Sequence, residues 1–242
     1  MTFEVDWRKY LEQVKTYIKS DKELRFWAIV GVVLVVGGGS YYGYHWINQR
    51  WTQKALMAFT ESHDVYQQAL GTQFNDKVQG EAKKELWDQV EIDFKQAGAH
   101  NKHSSFAPFF KAFRSQALNF QGSRDEALAE MQDAVDKMGN NYYRGLYQIG
   151  LSFILLDGDQ DEKEQGIKKL LALADDEKNS FQDMALYYLG LYFSVSGEPE
   201  KASEYWKKIK QPSASVIISK KAESPWAQLA KIKLMELGQE KE

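Results

Sequence analysis

The chain has 242 residues, of which 43% are hydrophobic and 27% are charged, and its formal net charge is −3 at pH 7. This balance is typical of a globular protein and excludes a chain that is disordered throughout. The small net charge argues against nucleic acid as a partner, and the absence of cysteine excludes disulfides, thiolate metal sites and a cysteine nucleophile.

The first segment, residues 1–24, carries apolar side chains at helical spacing, among them Phe3, Trp7, Leu11 and Val14. Charged residues occupy the rest of the helical wheel, which is typical of an amphipathic helix. We expect this segment to lie in the cytoplasm, either on the inner leaflet of the membrane or against a partner protein.

Residues 26–47 contain no charged side chain. A helix of that length spans about 33 Å, close to the ~30 Å hydrocarbon core of a bilayer. Aromatic residues lie at both ends, as membrane interfaces favour. The sequence therefore predicts one transmembrane helix over residues 25–47.

Six basic residues precede this stretch, whereas only Arg50 and Lys54 lie in the twenty residues after it, which places the N-terminus in the cytoplasm. We therefore expect a single-pass protein whose C-terminal bulk lies outside the inner membrane. A cleaved signal peptide is the alternative, but the preceding segment is long and contains acidic residues, unlike the short basic start of a signal peptide.

Gly39 and Gly43 form a G-x-x-x-G pair within the apolar stretch. Such a pair lets two membrane helices approach closely, so it predicts helix pairing at these two glycines. The alternative is that membrane helices simply tolerate many glycines.

The remainder has a helical apolar period throughout, which predicts an all-α fold. Residues 48–105 form linking helices, which are also compatible with a divergent repeat. Residues 106–242 contain three similar helix–turn–helix units and a C-terminal capping helix that begins near Ser224. The units share a small residue, a turn glycine, a second small residue and a large one, in that order. This order predicts a tetratricopeptide-like α-solenoid after the transmembrane helix, with a generic helical bundle as the alternative.

No catalytic motif is found, and neither an enzymatic activity nor a cofactor is expected. His100 and His103 have no acidic or thiol neighbours that would complete a metal site, and the acidic stretch 157–164 departs from a calcium loop. We expect 157–164 to be a solvated loop that holds an insertion in the second unit.

Stacked helix pairs without catalytic groups favour protein binding, and their first helices line a groove. In the predicted register, the side chains of this partner-binding groove are Phe109, Gln116, Asn119, Arg144, Tyr147 and Tyr187. The groove is apolar and aromatic with few charges, so it suits an extended segment or a partner helix.

The layout resembles that of the YfgM-like tetratricopeptide proteins, which are ancillary subunits of the SecYEG translocon. The resemblance rests on the amphipathic N-terminal sequence YLEQVKTYIKSDKEL and on the Gly- and Val-rich transmembrane stretch. It also rests on the aromatic sequence YYGYHWIN at the C-terminal end of that stretch and on the helical repeats. It implies a single-pass protein of a bacterial inner membrane, with the N-terminus in the cytoplasm and the C-terminal repeat domain in the periplasm. There we expect a non-enzymatic adaptor that contacts the Sec translocon and periplasmic chaperones, such as the isomerase PpiD, or their clients. The alternative function is a structural scaffold in a large envelope machine, such as a flagellar motor collar or a secretion assembly.

Overall fold

The computed structural model describes the backbone of residues 22–73, 75, 78, 80–209 and 224–239, and the side chains from residue 46 to 238 within these ranges. All regular secondary structure in these ranges is α-helical, so the predicted all-α fold is confirmed. The helices are α1 (Lys22–Gln73), α2 (Gly80–His100), α3 (Ala107–Phe120), α4 (Arg124–Lys137), α5 (Arg144–Leu156), α6 (Gln160–Asp175), α7 (Gln182–Val195), α8 (Pro199–Lys208) and α9 (Pro225–Gln239).

The chain divides into two compact units, residues 1–54 and 55–242. In the first unit, the predicted cytoplasmic segment lies outside the described residues apart from residues 22–24. For most of the predicted transmembrane helix, including the Gly39 and Gly43 pairing positions, the backbone is described as helical but the surroundings of the residues lie outside the described part. Within the part that is described, no helix has both the length and the apolar character needed to cross a membrane.

The second unit is a row of helix pairs. The end of α1 packs with α2, α3 with α4, α5 with α6, and α7 with α8, and α9 covers α7 and α8. Each pair also contacts the next pair along the chain. This sequential packing is consistent with the predicted helical solenoid, in which each unit contacts mainly its neighbours.

The described core consists of three hydrophobic clusters that share helices. Helix α5 contributes Ile149 to the cluster around α6, α7, α8 and α9, and it contributes Leu151 and Leu155 to the cluster around α3 and α4. Helix α3 likewise joins this second cluster to the third, formed by the end of α1 and α2. The first helices of the pairs therefore connect neighbouring parts of the core.

Three-residue turns connect the helices of the last three pairs. Gly122 (φ 81°) and Gly197 (φ 79°) adopt the left-handed conformation at the ends of α3 and α7. The amide of the next residue donates to a carbonyl in the last helical turn, Ser123 to Leu118 at 2.9 Å and Glu198 to Phe193 at 2.8 Å. Only glycine adopts this φ without steric cost, so these turns require it.

The turn between α5 and α6 corrects one prediction. Residues 157–159 form a turn of the same length as the other two, so the expected inserted loop over 157–164 is wrong. Asp159 caps α6: its carboxylate accepts from the Glu162 amide at 2.9 Å, and the Glu162 carboxylate accepts from the Asp159 amide at 3.1 Å. This capping box starts the helix at once, so the additional residues form about one extra helical turn.

Loss of this cap has a measurable expected effect. We expect Asp159→Ala to lower the free energy of unfolding by about 1 kcal/mol, because the first amides of α6 lose their acceptor. Urea unfolding followed by far-UV circular dichroism measures this loss. Asp159→Asn is the control, because asparagine caps a helix about as well as aspartate. An equal loss in both variants would contradict the capping role.

The small residues of the pattern lie where helices approach each other. The Ser115 hydroxyl donates to the Ala127 carbonyl at 2.6 Å, joining α3 to α4. Gly190 of α7 lies directly against the indole of Trp206 in α8, and a Cβ atom at Gly190 would collide with that ring. The small and large positions of the pattern therefore meet each other in the core.

Candidate functional site: a groove along the first helices

A groove of about 550 Å³ runs across the first helices of neighbouring pairs. Helices α1, α3 and α5 form most of its wall, and α4 and α7 contribute one residue each. The lining residues are His63, Tyr66, Gln67, Leu70, Phe113, Gln116, Asn119, Phe120, Met131, Leu146, Tyr147, Gly150, Phe153, Ile154 and Met184.

The spacing of the lining residues explains why they share one face. In α1 they are His63, Tyr66, Gln67 and Leu70, which are separated by three, one and three positions. Residues three and four apart lie on the same side of a helix, so one stripe of α1 faces the groove. The lining residues of α3 and α5 are spaced in the same manner.

The lining contains no carboxylate, ammonium or guanidinium group among the residues that the structure describes. Its polar groups are tyrosine hydroxyls, carboxamides and one imidazole. The Tyr66 hydroxyl donates to the Gln116 Oε1 atom at 2.6 Å, which connects α1 to α3 across the groove floor. The groove can therefore form hydrogen bonds but offers no fixed countercharge.

Burial keeps the two groove tyrosines protonated. It raises the pKa of Tyr66, and it also raises the pKa of Tyr147, with smaller contributions from Tyr66 and Tyr143. A raised tyrosine pKa means that the neutral phenol is retained across the physiological pH range. Both hydroxyls are therefore neutral hydrogen-bonding groups in this site.

Aromatic rings form the wall at the α1 end of the groove. His63 stacks between Phe59 and Tyr66, with ring centroids 5.8 and 5.9 Å apart, and meets the edge of Phe113 at 5.6 Å. Phe120 stacks on Trp87 of α2 at 4.2 Å and is still 40% exposed. Rings held by other rings provide apolar contact area at little entropic cost, since their rotamers are already fixed.

The structure brings three of the six predicted partner-binding residues into this groove: Gln116, Asn119 and Tyr147. Phe109 is half-buried outside the lining and contacts the ring of Tyr147 at 5.7 Å. It therefore supports a groove residue rather than lining the groove itself.

Arg144 and Tyr187 also lie outside the lining. Arg144 is half-buried at the start of α5, and its Nε atom is buried without a hydrogen-bond partner among the described residues. Tyr187 is only 8% exposed, because Trp226 of α9 packs on its ring at 5.4 Å. The capping helix thus covers the position that the sequence assigns to the partner.

Sequence reasoning missed the contribution of α1. His63, Tyr66, Gln67 and Leu70 belong to the segment interpreted as linking helices, so no groove residue was assigned there. These residues recur at helical spacing, so apolar and amide side chains share one face of α1. This pattern could have indicated a further wall of the groove.

A second cavity, of about 310 Å³, lies between α2, α3 and α4 and is lined by five basic residues and Glu130. Its arginine, Arg114, donates to Glu91 at 2.7 Å and to Glu130 at 2.6 Å. Lys111 pairs with Glu130 at 3.2 Å and with Asp133 at 2.7 Å, and its hydrogen bond to Asp133 is the largest cause of its raised pKa. These pairs connect three helices, so we interpret this cavity as part of the scaffold.

Removal of the central arginine tests this interpretation. We expect Arg114→Met to lower the free energy of unfolding by about 1.5–3 kcal/mol, because two half-buried carboxylates lose a charged donor. Lys95→Met is the control, because Lys95 is exposed and pairs with Glu91 of its own helix. Urea unfolding measures both variants, and equal stability of the two would contradict a structural role for Arg114.

Among the described residues, no cluster of three or more histidine, aspartate or glutamate side chains is placed to hold a metal ion. What the groove offers chemically is an uncharged, partly aromatic surface with hydrogen-bonding groups. Comparison of the chain with protein-family models, with characterised proteins and with solved structures finds no match.

Proposed function

We propose that this protein is a non-enzymatic, membrane-anchored adaptor that binds polypeptides in the groove formed by α1, α3 and α5. The groove itself is the observation that carries the proposal, since it is a preformed, largely apolar surface with hydrogen-bonding groups. Stacked helix pairs provide extended surfaces of this kind for protein binding.

The tetratricopeptide assignment is part of the proposal. It is supported by the three-residue turns, by the left-handed glycines at two of them and by the contact between small and large positions. The resemblance to the YfgM-like proteins then assigns the groove to the periplasm, where it would link the Sec translocon to periplasmic chaperones or their clients.

The side chains at the C-terminal end of the apolar stretch and just after it support membrane anchoring. Trp46, Ile47 and Trp51 are 55%, 43% and 48% exposed, and the Arg50 guanidinium lies 3.9 Å from the centre of the Trp46 ring. Exposed tryptophan beside a basic residue is typical of a membrane–water interface. Anchoring would raise the effective concentration of weakly bound partners near the membrane without any new contact.

Site-specific photo-crosslinking in cells tests the adaptor. A photoreactive amino acid at Gln67 or Phe120, both exposed groove residues, is expected to capture translocon subunits, a periplasmic chaperone or a client. The same probe at the exposed Gln68 and Glu126, outside the lining, is the control. The adaptor proposal fails if the groove positions capture no protein, or capture the same proteins as the controls.

A scaffold subunit of a large envelope machine is the second candidate, favoured by one observation. Leu229, Ile232 and Met235 of α9 are 40%, 52% and 55% exposed and follow each other at helical spacing. Such a stripe fits a permanent contact with another subunit. Recovery of the protein at a fixed stoichiometry with one machine would support the scaffold over the adaptor.

A further inference from the structure

The groove has a composition that selects among polypeptides. We propose that its occupant is an uncharged, apolar polypeptide segment bound in an extended conformation, with its main chain paired to carboxamide side chains of the groove. This inference rests on the proposed function, because it names the class of polypeptide that the adaptor binds.

The charge of the lining gives the first reason. None of its side chains among the described residues is a carboxylate, an ammonium or a guanidinium. A charged side chain that entered the groove would lose its hydration and find no countercharge, which is costly in a largely apolar site. A neutral apolar segment loses little hydration free energy and gains the contact area of the aromatic wall.

The amide groups give the second reason. Gln67, Gln116 and Asn119 each carry both a donor and an acceptor. An extended segment needs both kinds of partner, because its own N–H and C=O groups are unpaired. The Gln116 Oε1 atom already accepts a hydrogen bond from the Tyr66 hydroxyl. The Nε2 hydrogens of Gln116 are therefore the groups that can donate to an occupant. A helical occupant would pair its own main chain and leave these amides against its apolar side chains.

The spacing of the helices sets the length of the bound segment. Packed helices lie about 8–10 Å apart, so the distance from α1 across α3 to α5 is about 16–20 Å. An extended segment covers this distance with about 5–6 residues.

The test uses the full chain in detergent and fluorescent peptides of about seven residues with blocked ends. The parent peptide contains leucine, serine and glutamine only. Two others carry lysine or aspartate at a central position, and a fourth carries a central proline, which an extended chain tolerates and a helix does not. We expect the parent to bind at least about tenfold more tightly than either charged peptide, and the proline peptide to bind within about threefold of the parent.

A variant of the groove gives a second measurement. Asn119→Asp places a carboxylate in the lining, so we expect weaker binding of the parent peptide and tighter binding of the lysine peptide. The matched control is Asn140→Asp, the same change at an exposed turn residue outside the groove, and it should alter neither. A reversal of preference is not expected from a variant that only disturbs folding.

The outcomes separate this inference from the proposed function. Equal binding of charged and uncharged peptides, or loss of binding with the proline peptide, would overturn the inference. If no peptide binds while the groove crosslinks in cells persist, the inference fails and the adaptor remains supported. If the crosslinks are also absent, both fail.

Discussion

Replacing Trp206 by alanine is expected to lower the free energy of unfolding by about 3–5 kcal/mol, the largest loss for any single change considered for this chain. Trp206 is fully buried in α8, and its indole N–H donates to the Tyr187 carbonyl of α7 at 3.0 Å. The change removes the fully buried indole that lies against Gly190 and the hydrogen bond that joins α8 to α7, and it leaves a cavity between them. Urea unfolding of the full chain, followed by far-UV circular dichroism, measures the loss.

Two further variants make this prediction specific. Trp51→Ala removes a 48% exposed tryptophan and should cost less than about 1 kcal/mol. Gly190→Ala should cost about 1–3 kcal/mol alone, because the new Cβ atom collides with the indole. In the Trp206→Ala background the ring is absent, so the same change should cost little or even stabilise α7. Additive costs in this double-mutant cycle would show that Gly190 and Trp206 are not in contact.

Replacing Gly150 by leucine is expected to weaken binding in the groove at least about tenfold and to leave the fold intact. Gly150 lines the groove, and a Cβ atom there meets only the Met131 Cε atom, at an ordinary 3.6 Å. The leucine side chain should therefore extend into the space of the occupant. Leucine also favours the helix over glycine by about 1 kcal/mol, so stability should be retained. We expect groove crosslinks and peptide affinity to fall at least about tenfold, a loss of at least about 1.4 kcal/mol in binding free energy.

The control for Gly150→Leu is Gly71→Leu. Gly71 also lies in a helix, is exposed, and has no atom within 4 Å of its added Cβ position. It is not a lining residue, so this variant should bind as the unaltered protein does. Undiminished binding by a folded Gly150→Leu variant would show that the occupant does not lie in the groove.

The helical class and the pairing of helices could be predicted, because both depend on signals that are local in sequence. The apolar period fixes the helices, and glycines such as Gly122 and Gly197 mark turns that only glycine permits. Half of the assigned groove residues line the groove, since the register of α3 and α5 follows from the same period.

What could not be predicted depends on contacts between distant residues. Tyr187 has the sequence character of a groove residue, but Trp226 of the capping helix covers it. The α1 wall was missed because nothing in residues 63–70 identifies which helices they face. The expected loop at 157–164 is wrong because the capping box at Asp159 favours a helix over the turn that its acidic residues suggest.

Because α5 belongs to two of the three core clusters, the pairs on either side of it cannot unfold independently. A destabilising substitution in α5 should therefore lower the stability of the helix pairs on both sides of it. The same kind of substitution in α9 should promote local unfolding at the C-terminal end only. A polypeptide bound across α1, α3 and α5 would contact helices of neighbouring pairs and stabilise their packing around α5. A protein with a bound polypeptide should consequently resist heat and proteolysis better than an empty one, and the gain in stability should rise with the logarithm of the polypeptide concentration above its Kd.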